Sequence, residues 1–263
     1  MKKNLKKVRL SKLENYILYF FIYSFIGWLF ETLYAIYKLG HFTKRGFLFG
    51  PICPIYGYGA MYMYFFLTRY RNDLITLFVM AVVGTSILEY ITSFVMEKIF
   101  KARWWDYSNR RFNLEGRVCL KNSILFGVLG IVFIYLINPA FMYMVDKIPN
   151  TVLMTISIVL FITFLVDNIV TFSIMNSLKN NLKNIRKDST ADIDNQVREI
   201  LSKHTFYLKN LFKAFPKVSF SLPTGEQITA SIRSALDNID ILRKERRKKV
   251  KALKKELKNK KLK

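Results

Sequence analysis

The sequence predicts an all-α protein, a polytopic bundle of membrane-spanning helices followed by a helical, basic C-terminal tail. The chain is 52% hydrophobic over its 263 residues, yet it carries a formal net charge of +24. The apolar and the basic residues are separated along the chain, because residues 15–177 are mostly apolar and the C-terminal remainder is rich in lysine. Apolar runs of about 20 residues are typical of membrane spans.

This separation predicts four regions along the chain. We expect a basic N-terminal segment at 1–14, a transmembrane helical domain at 15–177, a linker with an amphipathic helix at 178–225, and a basic C-terminal helix at 226–263. About five spans fit into the transmembrane domain. They are expected at 15–37, 46–67, 74–100, 119–139 (or as far as 145) and 152–176.

The second span begins with a stretch that breaks the helical pattern. Residues 46–59 read GFLFGPICPIYGYG. The prolines lack a backbone donor and the glycines weaken a helix. Non-helical backbone at membrane depth is tolerated only where protein or water surrounds it. We therefore expect a broken or re-entrant segment here, and the residues that break it are Gly46, Gly50, Pro51, Pro54 and Gly57.

The orientation in the membrane is partly predicted by charge. Basic residues near span ends mark the cytoplasmic side, so we expect residues 178–263 to be cytoplasmic. Five full crossings would place the two termini on opposite sides, although both are basic, and the N-terminal side stays open. If the second segment crosses fully, the first and third spans run parallel. The loops at 38–50 and 101–118 then share one membrane face.

Two carboxylates within the spans predict an intramembrane polar pocket. Glu31 and Glu89 lie in otherwise apolar helices, where a charged side chain costs on the order of 2.5–3.5 kcal/mol. Each should therefore face the interior of the bundle. Asp167 marks the fifth span in the same way, whereas Glu97 lies near a span end and is expected to snorkel towards water.

Arginines in the adjoining loops are the expected partners of these carboxylates. Arg45 and Arg117 each precede or follow a glycine at the start of an apolar segment. The planar guanidinium suits a carboxylate or a phosphate. We predict that Glu31, Glu89, Arg45 and Arg117 form the pocket.

The loop that reads RWWDYSNRRFNLEGRVCL, residues 103–120, carries more chemistry than a plain connection requires. We interpret it as an interfacial cap over the pocket. Tryptophan and tyrosine favour the membrane interface whatever the function, and this alternative stays open. The predicted cap residues are Trp104, Trp105, Asp106, Tyr107 and Asn113.

Three motifs, in this order, resemble the bacterial family called putative ABC-transporter type IV, the CmpB-like membrane proteins. They are YSFIGWLFETLY, RGFLFGPICPIYGYGA, and an intramembrane glutamate followed by RWWDYS and FNLEGRVCL. The resemblance covers roughly residues 16–135 and implies a multi-pass membrane protein with a transport role. It falls on Gly27, Trp28, Glu31, Arg45, Gly46, Gly50, Pro51, Pro54, Tyr56, Gly57, Glu89, Trp104, Trp105, Asp106, Tyr107, Asn113, Gly116, Arg117 and Cys119.

The polar pocket and the resemblance together favour a transport-related protein, a permease component that moves a small polar or charged solute. The alternative is a membrane-embedded enzyme or binding protein that acts on a lipid headgroup. The two histidines, His41 and His204, are isolated in the sequence, so neither a zinc site nor a Ser–His pair is expected. No cofactor is expected, no nucleophile with its base can be identified, and the question of an enzymatic activity stays open.

The expected partners follow from the span count and from the tail. A transporter with so few spans would need a second copy or a separate transport chain to enclose a pathway, and any ATPase would be another chain because the sequence has no phosphate-binding loop. The protein is expected in the cell membrane, in contact with lipids. The last 21 residues carry thirteen basic and two acidic side chains, so the tail could contact anionic lipid or RNA.

Overall fold

Long helices make up most of the protein. The structure is a computed structural model and describes residues 2–185, 190–203, 205–222, 225–235, 238 and 249–250. The all-α fold class is confirmed. The helices are α1 (Lys2–Leu39), α2 (Pro54–Tyr62), α3 (Leu74–Phe100), α4 (Leu120–Val132), α5 (Asn138–Val145), α6 (Asn150–Lys183), α7 (Thr190–Lys203) and α8 (Thr205–Ala214), and residues 225–235 are also helical.

Short strands occur only outside the bundle within the described chain. They are β1 (Ala102–Arg103), β2 (Asn113–Leu114), β3 (Val118–Cys119) and β4 (Ser219–Phe220). The strands β2 and β3 form a small antiparallel hairpin in the loop that follows α3. The strands β1 and β4 pair antiparallel and join that loop to the C-terminal part of the chain.

Four helical stretches of the described chain are long and apolar enough to cross a membrane, where about five spans were expected. They are Leu13–Leu39, Leu74–Phe100, Leu120–Val145 and Asn150–Lys183. The third of these combines α4, a π-helical turn at Phe133–Ile137, and α5. The remaining expected span is interrupted, because α2 continues into a π-helical turn at Met63–Leu67 and a 3₁₀ turn at Thr68–Tyr70.

This interrupted segment nevertheless packs along much of the apolar part of α1. At one end the ring of Tyr56 lies against Gly27. At the other end the ring of Tyr64 lies 5.8 Å from that of Tyr16. Residues 54–70 therefore run antiparallel to α1.

The broken stretch expected at 46–59 is confined to its first half. Residues 46–53 are not helical, and α2 then begins at Pro54. Proline suits the start of a helix because an N–H at that position would have no partner in the helix. Gly46 has a φ of +92°, which favours glycine. The N–H of Cys53 donates to the carbonyl of Ser24 on α1, so the irregular backbone is satisfied by protein.

The antiparallel course of residues 54–70 makes α1 and α3 run in the same direction. Glu31 and Glu89 consequently lie near the same end of the bundle. The loops at residues 40–53 and 101–119 meet at this end, which we call the loop face. The C-terminal end of α6 reaches the loop face as well.

The C-terminal part of the chain packs onto the loop face. The expected fifth span ends at residue 176, but α6 continues to Lys183 because Met175, Leu178 and Leu182 keep an apolar stripe at helical spacing. These side chains share one buried cluster with α7, α8, β4 and residues 228–235. The stretch expected to begin as a linker at residue 178 is therefore helical to Lys183 and packed at its apolar positions.

Part of the predicted basic tail is not described. His204 and residues 251–263 lie outside the described residues, as do most positions between 236 and 248. The helix at 225–235 coincides with the beginning of the predicted C-terminal helix at 226–263. The two cysteines, Cys53 and Cys119, are free and buried.

Candidate functional site

Glu31 is held by two side chains that come from outside its own helix. Its Oε2 accepts hydrogen bonds from Nε and Nη2 of Arg45, at 3.3 and 3.2 Å. Its Oε1 accepts a hydrogen bond of 2.7 Å from the hydroxyl of Tyr56 on α2. The side chains of Arg45 and Glu31 keep 24% and 33% of their exposure, so the pair is reachable. Both carboxylate oxygens are therefore occupied at membrane depth by a cation and a neutral donor.

Small residues bring these partners to α1. A Cβ atom on Gly27 would lie 2.2 Å from the ring of Tyr56. A Cβ atom on Gly57 would lie 2.2 Å from the hydroxyl oxygen of Ser24. The two helices can approach this closely only with glycine at both positions, and the approach is what places the Tyr56 hydroxyl on Glu31.

Arg45 also reaches the C-terminal part of the chain. Its Nη1 donates to the backbone carbonyl of Ala214, the last residue of α8. The carbonyls at the end of a helix have no partner in the helix and carry partial negative charge, so they favour a cation. One guanidinium thus connects the carboxylate of α1 to the helix that covers the loop face.

Glu89 is more deeply buried than Glu31 and has fewer partners. Its exposed fraction is 6%. Its Oε1 accepts a hydrogen bond of 3.1 Å from the hydroxyl of Tyr107. Its Oε2 is buried and has no hydrogen-bond partner among the described residues. The pKa of the Tyr107 phenol is raised well above its ordinary value, mainly by burial and next by the nearby Glu89. Tyr107 is therefore a neutral donor.

Arg117 was expected among the partners of Glu31 and Glu89. Arg117 pairs instead with Glu97, at 2.8 Å between Nη1 and Oε2. The same Nη1 donates to the hydroxyl of Ser93, which lies one turn beyond Glu89 on α3. Ser93 and Glu97 lie nearer the loop from which Arg117 projects, so its guanidinium reaches them before Glu89.

Glu97 was expected to snorkel towards water, but protein side chains hold its carboxylate. Its carboxylate accepts from Arg103 at 3.3 Å in addition to Arg117. Its Oε1 accepts a hydrogen bond of 2.7 Å from the hydroxyl of Ser221, which follows β4. Glu97 therefore joins α3, the loop after it and the C-terminal part of the chain.

The surroundings of Glu31 and Glu89 form one polar region. The hydroxyl of Tyr56, bound to Glu31, lies close enough to that of Tyr107 for the two groups to interact electrostatically. Glu31 likewise interacts electrostatically with the thiol of Cys53. We call the group of Glu31, Arg45, Tyr56, Glu89 and Tyr107 the polar centre.

Asp167 of α6 serves the irregular stretch before α2. Its two carboxylate oxygens accept hydrogen bonds from the N–H groups of Phe49 and Gly50, at 2.8 and 2.6 Å. The hydroxyl of Thr171 donates to the same carboxylate at 3.1 Å. Backbone donors at membrane depth need such acceptors. This arrangement makes Asp167 an anchor for the loop that carries Arg45.

Lys44, beside this anchor, has its ammonium bonded to the carbonyl of Phe49. Burial lowers the pKa of Lys44, and Asp167 opposes that shift. Lys44 therefore lies in the same loop as Arg45, next to the polar centre. Of the residues predicted to break the helix, Gly50 lies against Asp167 and Pro51 is exposed.

Three of the residues predicted as an interfacial cap shape the loop itself, and these are Trp105, Asp106 and Asn113. Trp105 donates to the carbonyl of Arg117 at 3.0 Å, and Asn113 accepts from Gly116 at 2.9 Å. Asp106 accepts from the N–H and hydroxyl of Ser108, and these bonds are the main reason that its pKa is lowered.

Trp104 departs from the predicted interfacial position. Its exposed fraction is 2%, and its ring packs against Phe47, Phe100 and Phe215 in the apolar cluster beneath the C-terminal part of the chain. The reason is that β4 pairs with β1, which covers the ring with protein. Trp104 is therefore a core residue of the loop face.

Several residues that contribute to the loop face could not be identified from the sequence. Tyr56 was recognised as part of a motif, but not as a partner of Glu31. Its signal was the pair of glycines, Gly27 and Gly57, that permits close helix approach. Ala214 and Ser221 contribute a carbonyl and a hydroxyl from far along the chain, and nothing in their local sequence indicates it.

The comparisons with known proteins agree with the membrane bundle. The family model described as Putative ABC-transporter type IV matches residues 18–172. No curated protein and no solved structure matches the chain. The matched stretch includes all five residues of the polar centre and ends before α7. Because the match covers more than half of the sequence, the chain belongs to the Putative ABC-transporter type IV family of membrane proteins.

Proposed function

We propose that this protein is the membrane component of a transport system and moves a small polar or charged solute past the polar centre. The family description supports a role in transport. The observation that carries the proposal is the convergence on Glu31 of Arg45 and Tyr56, from two further segments of the chain. Charged and polar groups at membrane depth are costly and mark solute pathways in many membrane proteins.

The chemistry of the polar centre suits a solute with both an acidic and a hydrogen-bond-donating group. A solute carboxylate or phosphate can compete with Glu31 for the guanidinium of Arg45, which offers several donors in one plane. A donor group of the same solute can be accepted by Oε2 of Glu89, which has no hydrogen-bond partner among the described residues. The bonds that hold Arg45 and Tyr56 would then exchange during transport.

The arrangement in the cell is part of this proposal. The loop face and the C-terminal part of the chain lie on the cytoplasmic side of the cell membrane, in keeping with their basic residues. With residues 54–70 counted as a fifth crossing, the N-terminus lies outside. A second copy of the chain or a separate transport chain completes the pathway, and an ATPase would be supplied by another chain.

A lipid headgroup is a second candidate ligand, because the polar centre opens sideways. The C-terminal end of α8 lies over Arg45 on the loop face. Glu31 keeps a third of its side-chain exposure, and its neighbours on α1, Phe30 and Tyr34, are exposed apolar residues of the span. This pattern is compatible with a lipid that enters from the bilayer.

Solute exchange in reconstituted vesicles tests the first candidate. Vesicles containing the purified protein are loaded with one unlabelled solute at a time, and entry of the same radiolabelled solute is measured for a panel of amino acids, sugar phosphates and inorganic ions. At least one solute should exchange with the wild type and with Glu115→Gln, an exposed carboxylate outside the polar centre. Exchange should be lost in Glu31→Gln, and equal exchange by all three proteins would contradict the proposal.

Native mass spectrometry of the same proteins tests the second candidate. A phospholipid retained by the wild type and by Glu115→Gln, but lost from Glu31→Gln, would favour the headgroup ligand. Equal retention by all three proteins would exclude Glu31 from lipid binding.

A further inference from the structure

Glu89 presents an unusual combination of burial and missing partners. Its side chain is 94% removed from solvent, given an exposed fraction of 6%. One oxygen is bonded to the Tyr107 hydroxyl, and the other has no hydrogen-bond partner in the part of the chain that the structure describes. Glu31 on the parallel helix α1 is different, since an arginine and a tyrosine occupy both of its oxygens.

The neighbours of Glu89 within the described residues are neutral groups. From the loop after α3 comes the Tyr107 phenol, whose surroundings include Cys119 and Asn122. From its own helix comes Ser93, whose hydroxyl accepts from Arg117. Tyr56 of α2, which is bound to Glu31, interacts with Tyr107. Arg117, which donates to Ser93, is engaged by Glu97 at 2.8 Å.

An ionised carboxylate is strongly disfavoured in such surroundings. Transfer of an isolated charge into an apolar medium costs far more than transfer of a neutral polar group, and a buried acid without a cation gains a proton instead. A single phenol donor compensates the charge only in part. The protonated acid leaves one neutral O–H without a partner, which is the cheaper arrangement.

We infer that Glu89 is a proton-binding site, protonated in the conformation described here and able to exchange its proton with water at the loop face. On release, the Oε2–H bond breaks and the proton passes to a water molecule that enters beside Tyr107. The carboxylate left behind keeps the hydrogen bond from the Tyr107 hydroxyl. Rebinding reverses these steps.

The position of Tyr107 provides the route for exchange. Tyr107 belongs to the loop 103–117 and is only partly buried, while its hydroxyl touches Glu89. A phenol can donate and accept at once, so it can support water at this point. If the proposed function holds, proton release would accompany entry of a solute donor group onto Oε2, and this coupling rests on the proposed function.

Infrared spectroscopy of the full-length protein in vesicles tests the inference without any solute. At neutral pH the wild type should show the carbonyl stretch of a protonated carboxyl group. The band should be lost in Glu89→Gln and kept in Glu31→Gln and Glu97→Gln, whose carboxylates are paired with arginine in the wild type. Absence of the band from the wild type, or its persistence in Glu89→Gln, would overturn the inference.

A second measurement needs no variant and so does not depend on the folding of one. The apolar reagent dicyclohexylcarbodiimide adds to protonated carboxyl groups, and mass spectrometry of peptides locates the adduct. We expect modification at Glu89 and protection of Glu31, with the adduct decreasing as the pH is raised. Modification of Glu31 in preference to Glu89 would contradict the inference. A proton on Glu89 together with no solute exchange would refute only the proposed function.

Discussion

The guanidinium of Arg117 lies 2.8 Å from the carboxylate of Glu97, two helical turns along α3 from Glu89. Both side chains are largely buried, with exposed fractions of 8% and 17%. Ser221 and Arg103 bind the same carboxylate. This pair consequently fastens the C-terminal part of the chain to the loop face and keeps the Arg117 guanidinium away from Glu89.

Glu97→Ala should destabilise the protein, because it leaves the buried Arg117 without its closest partner. Removal of one member of a buried pair costs about 3–5 kcal/mol, and the cost here should be lower because Glu115 lies 3.4 Å from Arg117. Thermal unfolding in detergent measures it. Glu115→Ala removes an exposed partner of the same arginine and should lower the unfolding temperature far less. Equal unfolding temperatures for both variants would contradict the role of Glu97.

Gly27→Ala should impair transport although it replaces no polar side chain. The added Cβ would lie 2.2 Å from the Tyr56 ring, so α2 must move and the Tyr56 hydroxyl must leave Glu31. We expect at least a tenfold loss of solute exchange in vesicles. Gly59→Ala is the matched control on α2, because its Cβ would meet Leu88 at an ordinary 3.7 Å. A similar loss in both variants would indicate a general effect on folding.

Arg45→Lys should loosen α8 from the bundle while a positive charge is kept. A single ammonium cannot hold Glu31 and the carbonyl of Ala214 in the geometry that the guanidinium uses. Amide hydrogen exchange in residues 206–214 should become faster. The control is Arg110→Lys, which changes an exposed arginine of the same face. Unchanged exchange in Arg45→Lys would show that Arg45 does not secure α8.

Acid should loosen the loop at residues 103–117 through Asp106. The hydrogen bonds from Ser108 lower the pKa of Asp106 in the folded protein, so they stabilise the loop above the pKa of the unfolded chain, about 3.9. This stabilisation is lost as the pH falls through the lower, folded pKa. The fluorescence of the nearby Trp105 should report the change, and Asp106→Asn should remove that step.

A matched variant on the opposite face controls for general acid effects. Asp73 caps α3 by accepting from the N–H of Thr76, and its pKa is also lowered, chiefly by the Thr76 hydroxyl. Asp73→Asn should leave the acid step of the tryptophan fluorescence unchanged. Loss of the step in Asp73→Asn would assign it to the bundle and not to the loop.

The spans and part of the polar centre were predictable from local sequence. Hydrophobic length alone located α1, α3, α4 with α5, and α6. The cost of a buried charge led to Glu31, and the glycine beside Arg45 led to its partner. These features depend on the composition of single segments, which a sequence displays directly.

The parts that could not be predicted depend on contacts between distant segments. Trp104 appeared interfacial because the pairing of β1 with β4 cannot be deduced from strands of two residues. Glu97 was expected to reach towards water because its partner Ser221 lies 124 residues away in the sequence. The role of Asp167 could not be predicted, because its hydrogen-bond donors are backbone N–H groups, which almost any residue type could supply.

The most direct test of the central claim, that the polar centre binds the transported solute, is ligand-dependent thermal unfolding of the purified protein. A ligand that binds the folded state at about 100 times its Kd stabilises it by about 2.7 kcal/mol. Against the solute panel, at least one compound should raise the unfolding temperature of the wild type and of Glu115→Gln, and the rise should vanish in Glu31→Gln. Equal stabilisation of Glu31→Gln, or no stabilisation of the wild type by any compound, would contradict the claim.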